Sequence, residues 1–195
     1  MPLLRYNLAP TLNGLIASAP APSDANTTPW IVDDPTIDFD SLYAEFSTFI
    51  MGRKTYETFL SLAPNPLAGR DKESVVVFTR NPDKKREWGG DVTVVDGDVA
   101  EYVKRLKQEQ GKKDIWLMGG GEVAGLLMRA GLVDTVEAAI MPAVAVTAGG
   151  GMNMFGEGTG GNEVDEGKGW WKLELEELER KETGILMTRY KVLYD

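Results

Sequence analysis

Asp114-Ile115-Trp116-Leu117-Met118-Gly119-Gly120-Gly121-Glu122-Val123 reads as a buried strand that ends in three glycines and hands over to a helix. Apolar residues run unbroken from Ile115 to Met118, the pattern of a strand covered on both faces of a parallel sheet. Beyond the glycines, Val123, Leu126, Leu127 and Ala130 fall on one helical face, with Gly131 as the stop. Backbone N–H groups at a helix N-terminus, together with the helix dipole, attract a phosphate group. Glycine suits such a turn because a Cβ would hold a pyrophosphate away from the backbone. From this stretch alone, a tight strand–helix turn without a ligand is the other reading.

Outward from this unit, the chain alternates strand and helix. Leu3 to Ala9 is a first strand, ended by Pro10. Thr11 to Pro35 is proline-rich and aperiodic, a long loop broken by Leu15-Ile16-Ala17, and loops of that length often wrap a ligand. Phe39, Leu42, Tyr43 and Phe46 share one helix face behind Asp38 or Asp40 as N-cap. Thr48 to Met51 is a brief strand, and Gly52 opens a helix with Tyr56, Phe59 and Leu60 inward. Val75 to Phe78 and Val92 to Val95 are further strands. Between them Arg80, Lys84, Lys85 and Arg86 form a basic island in an acidic chain. Val99, Tyr102, Val103 and Leu106 mark another helix, and Val133 to Met141 another strand. Residues 156 to 169 hold six glycines and almost no apolar side chain, which suggests a mobile surface loop. Trp171 to Leu178 and Ile185 to Leu193 close the chain as an antiparallel hairpin. The order is that of an open α/β sheet, mostly parallel, with an antiparallel edge.

Composition removes several chemistries. The 195 residues contain no Cys and no His. A disulfide framework, a zinc–thiolate site, a Cys nucleophile, a Ser-His-Asp relay and any His-ligated metal are therefore out, and no metal site is expected. Carboxylate, Lys or Tyr acid–base work and chemistry carried by an organic cofactor remain. A net charge of −9 argues against a nucleic-acid partner. No stretch approaches the roughly 18 apolar residues that span a bilayer. Asn7, Pro10, Thr11 and Asn13 interrupt the apolar N-terminus, so a secretory leader is not expected and the cytoplasm is the default setting.

Two more strand ends favour anions. Met51-Gly52-Arg53-Lys54-Thr55 places two cations and a hydroxyl at a helix start, where cations oppose the dipole unless an anion compensates. Phe78-Thr79-Arg80 leads from a strand into the basic island. Ends of neighbouring parallel strands converge on the crevice where such sheets bind nucleotides, and three phosphate-friendly ends point to a dinucleotide with an extra phosphate.

On these residues the chain resembles a known family. Met51 to Thr58, Phe78-Thr79-Arg80 and Ile115 to Phe155 are similar to the dihydrofolate reductase-like fold family. Within it the chain most closely resembles the C-terminal reductase domain of the bifunctional deaminase-reductase of riboflavin biosynthesis and its stand-alone relatives. Leu117 to Asp134 is typical of that branch, as is Glu182-Thr183-Gly184-Ile185-Leu186 leading to Arg189-Tyr190-Lys191-Val192. The resemblance implies a single domain over residues 1–195. Its fold would be an α/β three-layer sandwich with a mostly parallel central sheet and an antiparallel C-terminal hairpin. It also implies NADPH, a small-molecule substrate and a homodimer, to which the apolar stretch Val133 to Met141 and the final strands would contribute an edge.

The resemblance assigns residues as well. Gly52, Arg53, Lys54 and Thr55 would hold cofactor phosphates, and Thr79 and Arg80 the adenosine and its 2′-phosphate. Gly119, Gly120, Gly121, Glu122 and Val123 would cradle the pyrophosphate through a turn with a cis Gly119–Gly120 bond. Ala9 and Ile16 would lie against the nicotinamide. The family's usual Asp after the first strand is Asn13 here. Trp30 matches a family Trp, whereas Asp33 and Asp34 are out of register with the acid that follows it, and Pro35 comes next. Asn13, Trp30 and Asp34 are the catalytic candidates, and Asp33 and Tyr43 the substrate candidates. Pro66 to Arg70 resembles a carboxylate-binding run, and Pro142 to Ala148 is longer and richer in Ala and Val than usual. The expected activity is hydride transfer from NADPH to a C=N or C=O of a small, heterocyclic substrate other than folate. The alternatives are the same fold used for isomerisation, cyclisation or dehydration, and a non-catalytic interaction protein.

Overall fold

The computed structural model describes residues 1–18, 28–62, 64–84, 88, 92–146, 150–156 and 169–194, the side chain of Lys84 excepted. Lys85, Arg86 and Gly149, and residues 157–168 of the glycine-rich stretch, lie outside the described residues.

The elements run β1 (Leu4–Leu8), β2 (Leu15–Ser18), α1 (Phe39–Ala44), β3 (Phe46–Gly52), α2 (Arg53–Leu60), β4 (Val75–Phe78) and β5 (Thr93–Val95). They continue α3 (Val99–Gln108), β6 (Asp114–Gly119), α4 (Gly121–Arg129), β7 (Thr135–Ile140), β8 (Gly151–Asn153), β9 (Lys172–Arg180) and β10 (Leu186–Leu193). Eight strands form one sheet in the order β5-β4-β3-β6-β1-β7-β10-β9. Pairing is parallel from β5 through β7 and antiparallel for β10 with both β7 and β9. Ladder strands covered on both faces need apolar residues at every position, and Val75–Phe78 is buried throughout.

Helices cover both faces. On one side Val103 of α3 and Ala124, Leu127 and Met128 of α4 pack on Leu4, Tyr6, Ile50, Val76, Ile115 and Leu117. On the other, Tyr56 of α2, with Leu42 and Tyr43 of α1 at its margin, packs on Phe49, Met51, Val75, Val77 and Trp116. The architecture is the expected three-layer α/β sandwich with its antiparallel hairpin.

Four local expectations change. Phe46 belongs to β3 rather than to the helix face before it, because α1 stops at Ala44 and Glu45 caps it. Leu15–Ser18 is a strand whose partner is β8, more than 130 residues away, and the two make a separate antiparallel sheet. The buried face of α4 is Gly121, Ala124, Gly125, Leu127 and Met128, with Leu126 exposed. Finally, β7 lies inside the sheet between β1 and β10, so the stretch Val133 to Met141 is no edge; the edge strands are β5 and β9.

Candidate functional site

β3 and β6 are parallel neighbours, with Met51 opposite Gly119, and each turns directly into a helix. The N-termini of α2 and α4 therefore start side by side. Gly52 and Gly120 are their N-caps, and neither helix receives a side-chain cap. A Cβ on Gly52 would meet Val123 Cγ2 at 3.3 Å and the Gly120 nitrogen at 3.6 Å. Thr55 Oγ1 lies 3.5 Å and 3.4 Å from where Cβ atoms of Gly119 and Gly120 would stand. The Gly119–Gly120 bond is cis, as the resemblance implies, and Gly119 has a φ of +125°, a conformation that glycine adopts readily. Gly52, Thr55, Gly119, Gly120 and Val123 are thus brought together, with two sets of helix-terminal N–H groups that no side chain caps.

The cations sit around this junction. Arg53 resolves its conflict with the dipole of α2 by reaching one turn along to Glu57, with Nη1 at 3.1 Å from both carboxylate oxygens. Lys54 is exposed. Arg80 follows β4 and approaches Glu122, in the first turn of α4, at 3.8 Å; the two side chains are 96% and 63% exposed. Thr79 anchors the turn, donating its N–H to Val95 and accepting on Oγ1 from the Asn81 N–H.

Ile16 lies in β2 of the small sheet, whose partner β8 leads to α4. The Met154 N–H donates to the carbonyl of Gly14, and the buried Tyr6 hydroxyl donates to the carbonyl of Met154. Burial of that phenol pushes its pKa up, so it stays a neutral donor. The segment after β8 then crosses α4 where the helix has no side chains. Cβ atoms on Gly121 and Gly125 would lie 2.0 Å from the Asn153 carbonyl oxygen and 2.3 Å from that of Phe155. Ala9 follows β1, at the margin of the parallel strands.

The candidates for the substrate side are held separately. The Tyr43 ring packs on Phe49 and Trp116 at centroid distances of 5.6 Å and 4.8 Å, under the Arg70 guanidinium. Asn13 accepts from Thr11 Oγ1 and donates to the Ala145 carbonyl, tying the turn after β1 to the stretch after β7. Asp34 accepts from Thr183 Oγ1 at 2.6 Å and from the N–H and hydroxyl of Thr36. Those bonds, Thr183 first, hold its carboxyl below the ordinary range. Asp33 is exposed, and Trp30 Nε1 is buried with no acceptor among the described residues. Among these residues no hydrogen bond joins Asn13, Trp30 and Asp34 to one another.

With this geometry in place, comparison with known proteins identifies the group. The sequence profile of the RibD C-terminal domain matches residues 2–187. The chain belongs to the RibD C-terminal domain family. It is 31% identical over 154 residues to the uncharacterized protein YwjB of Bacillus subtilis (strain 168), covering 77% of this chain and 80% of that protein. Among solved structures it is similar to a diaminohydroxyphosphoribosylaminopyrimidine deaminase/5-amino-6-(5-phosphoribosylamino)uracil reductase of Thermotoga maritima, with a TM-score of 0.60 and 17% identity. That similarity covers 98% of this chain and 57% of the other. A dihydrofolate reductase of Enterococcus faecalis complexed with NADP(H) gives a TM-score of 0.55 at 17% identity, covering 97% and 94%. These two structures establish the shared fold.

One feature of this RibD-like domain escaped the sequence reading. Arg5 of β1 and Glu137 of β7, each with a side chain only 8% exposed, face each other on the α1 side of the sheet. Arg5 Nε and Nη2 donate to the two Glu137 oxygens at 2.6 Å and 2.8 Å. Burial works against both charges, but each partner outweighs it, so Arg5 is held above and Glu137 below its ordinary pKa. Asn7 and Arg189 also donate to Glu137, and Arg189 reaches on to Glu177. A charge inside each of the apolar runs Leu3–Ala9 and Val136–Met141 was the available signal.

Proposed function

We propose that the chain is an NADPH-dependent reductase acting on a small heterocyclic substrate. The observation that carries this reading is the pair of N-termini of α2 and α4, side by side and without side-chain caps. Cβ atoms on Gly52, Gly119 and Gly120 would stand between the two helix starts, beside Val123 and Thr55, and two adjacent helix N-termini suit a pyrophosphate. Membership of a reductase-like family supports the reading, as does the NADP(H) complex of the dihydrofolate reductase that shares the fold.

In this reading Gly52, Arg53, Lys54 and Thr55 bind phosphate from one side, and Gly119 to Val123 from the other. Thr79 and Arg80 take the adenosine 2′-phosphate, and Ala9 and Ile16 form the bed of the nicotinamide. When bound, the dinucleotide supplies the hydride; the protein orients it and keeps water out. Tyr43, Trp30 and Asp33 border the substrate, and Asn13 and Asp34 hold the surrounding loops in place. An ionised Asp34 with both oxygens engaged is a poor proton donor, so the proton comes from water.

Titration calorimetry with NADPH tests the cradle, and loss of NADPH absorbance with candidate aminopyrimidines tests the reaction. A chain that ignores NADPH is no hydride-transfer enzyme. The non-redox reading, motivated by the amide at Asn13 where relatives place a carboxylate, would then take its place. The homodimer and the cytoplasmic setting belong to the same proposal, and a one-chain mass in sedimentation at micromolar concentration would remove the dimer.

A further inference from the structure

The Arg5–Glu137 network borders a half-open cavity of about 180 Å³ on the α1 face of β1, β7 and β10. An apolar cavity of roughly 150 Å³ accepts a benzene ring, so this one has room for a single heterocycle. Asn7 lies in its wall, and Ala9 comes two residues later, just past the end of β1. The cavity therefore adjoins the place assigned to the nicotinamide.

Two independent features define what it would accept. The first is the orientation of Asn7. Its Nδ2 donates to Glu137 Oε2 at 3.1 Å. A carboxylate accepts only, so it fixes which end of the amide faces it. The Asn7 Oδ1 is then the free end, with no donor among the described residues, in a side chain that lines the cavity.

The second is charge. Among the described residues, Glu45, Glu137, Glu177 and Glu179 line the cavity against only Arg5 and Arg189. Both guanidinium groups are already matched: Arg5 by Glu137 and Glu45, Arg189 by Glu137 and Glu177. An anion entering here would find no cation to spare and carboxylates at the rim. A ligand carrying N–H donors would find acceptors.

We propose that this cavity is the substrate-ring site and that it selects a neutral or cationic amino-heterocycle over an anionic or phosphorylated one, with Asn7 Oδ1 as the orienting acceptor. The proposal rests on the assignment of Ala9 to the nicotinamide and names the substrate class of that site. Glu177 acts as the charge filter by keeping Arg189 occupied.

Calorimetric titration of the NADPH-saturated chain with 4,6-diaminopyrimidine and with 4,6-diaminopyrimidine-2-carboxylate tests it. The uncharged ring should bind about tenfold more tightly than the carboxylate, as expected where like charges are brought together. Glu177→Gln, which frees Nη1 of Arg189 and leaves its Nε on Glu137, should shrink that ratio by about threefold by strengthening the carboxylate. Asn7→Leu, with its fold checked by circular dichroism, should weaken the diamino ring by about fivefold, the effect of one lost hydrogen bond. Equal or tighter binding of the carboxylate, no binding of the diamino ring, or a ratio indifferent to Glu177→Gln would each overturn the proposal. The same pair is titrated into the chain without NADPH. Failure of NADPH binding alone then counts against the reductase reading, and failure of ring discrimination alone against the cavity.

Discussion

Four helices among the described residues start in two different ways. Helices α1 and α3 begin behind Asp38 and Asp98, whose carboxylates accept from the Ser41 and Glu101 N–H groups. Helices α2 and α4 begin behind glycine and have no side-chain cap. An N-cap of the first kind stabilises a helix by about 1 kcal/mol relative to alanine. The pair that forgoes it is the pair that starts side by side at the carboxyl ends of β3 and β6. The difference teaches that local stability has been given up where two helix starts lie side by side, and kept at the other two.

That contrast can be broken at several points. The largest effect is expected from Gly121→Ala, because α4 is held at its start by the backbone of Asn153 to Gly156 rather than by a cap. A Cβ placed 2.0 Å from a carbonyl oxygen forces the backbone to move, at a cost of about 3 kcal/mol. Gly97→Ala, with nothing within 4 Å, serves as the control and should leave thermal unfolding unchanged.

Gly52→Asp installs the cap that α2 lacks. The new side chain needs only a small shift of Val123, so the fold should keep its stability. NADPH affinity should fall by about tenfold, or roughly 1.4 kcal/mol, because a carboxylate replaces a phosphate-facing backbone. Retained affinity in calorimetry would mean that the α2 terminus is not part of the cradle.

Asp98→Ala removes a cap from the other class. It should lower stability by about 1 kcal/mol in urea unfolding and leave NADPH affinity within about twofold. A parallel loss of affinity would erase the distinction between the two classes.

The smallest effect is a pH dependence confined to the capped class. Hydrogen bonds from the Ser41 hydroxyl and N–H hold the Asp38 carboxyl below its ordinary 3.8. A carboxyl depressed in the folded state stabilises it above the unfolded pKa and loses that contribution as pH falls through the folded value. Acid should therefore loosen the start of α1 before that of α2. Amide exchange of Ser41 against pH would show it, and Asp38→Asn should flatten the profile.

Much of this was legible in the chain. The apolar runs Val75–Phe78 and Ile115–Met118 identified interior parallel strands because no polar position interrupts them, and the glycines after Met51 and Met118 marked the two junctions. What escaped notice depends on partners distant in sequence. Leu15–Ser18 is too short to carry a period and becomes a strand only against Gly151–Asn153. Apolarity alone placed Leu126 inward, yet α4 turns its glycines toward the Asn153–Gly156 backbone and leaves Leu126 exposed. The run to Met141 looked like an edge because periodicity says nothing about strand order.

The sequence by itself determined the alternation of elements, the glycine-opened helices and, through the missing Cys and His, the restriction to chemistry that needs neither. Tertiary structure alone decided that two uncapped helix starts lie side by side, that Asp34 is tied to Thr183, and that Arg5 neutralises Glu137 beside a cavity. The physical reason is that strand and helix patterns are set by neighbours within a turn or two. Burying a charge or converging two dipoles requires groups 40 to 150 positions apart to meet, and only the order of strands in the sheet specifies that.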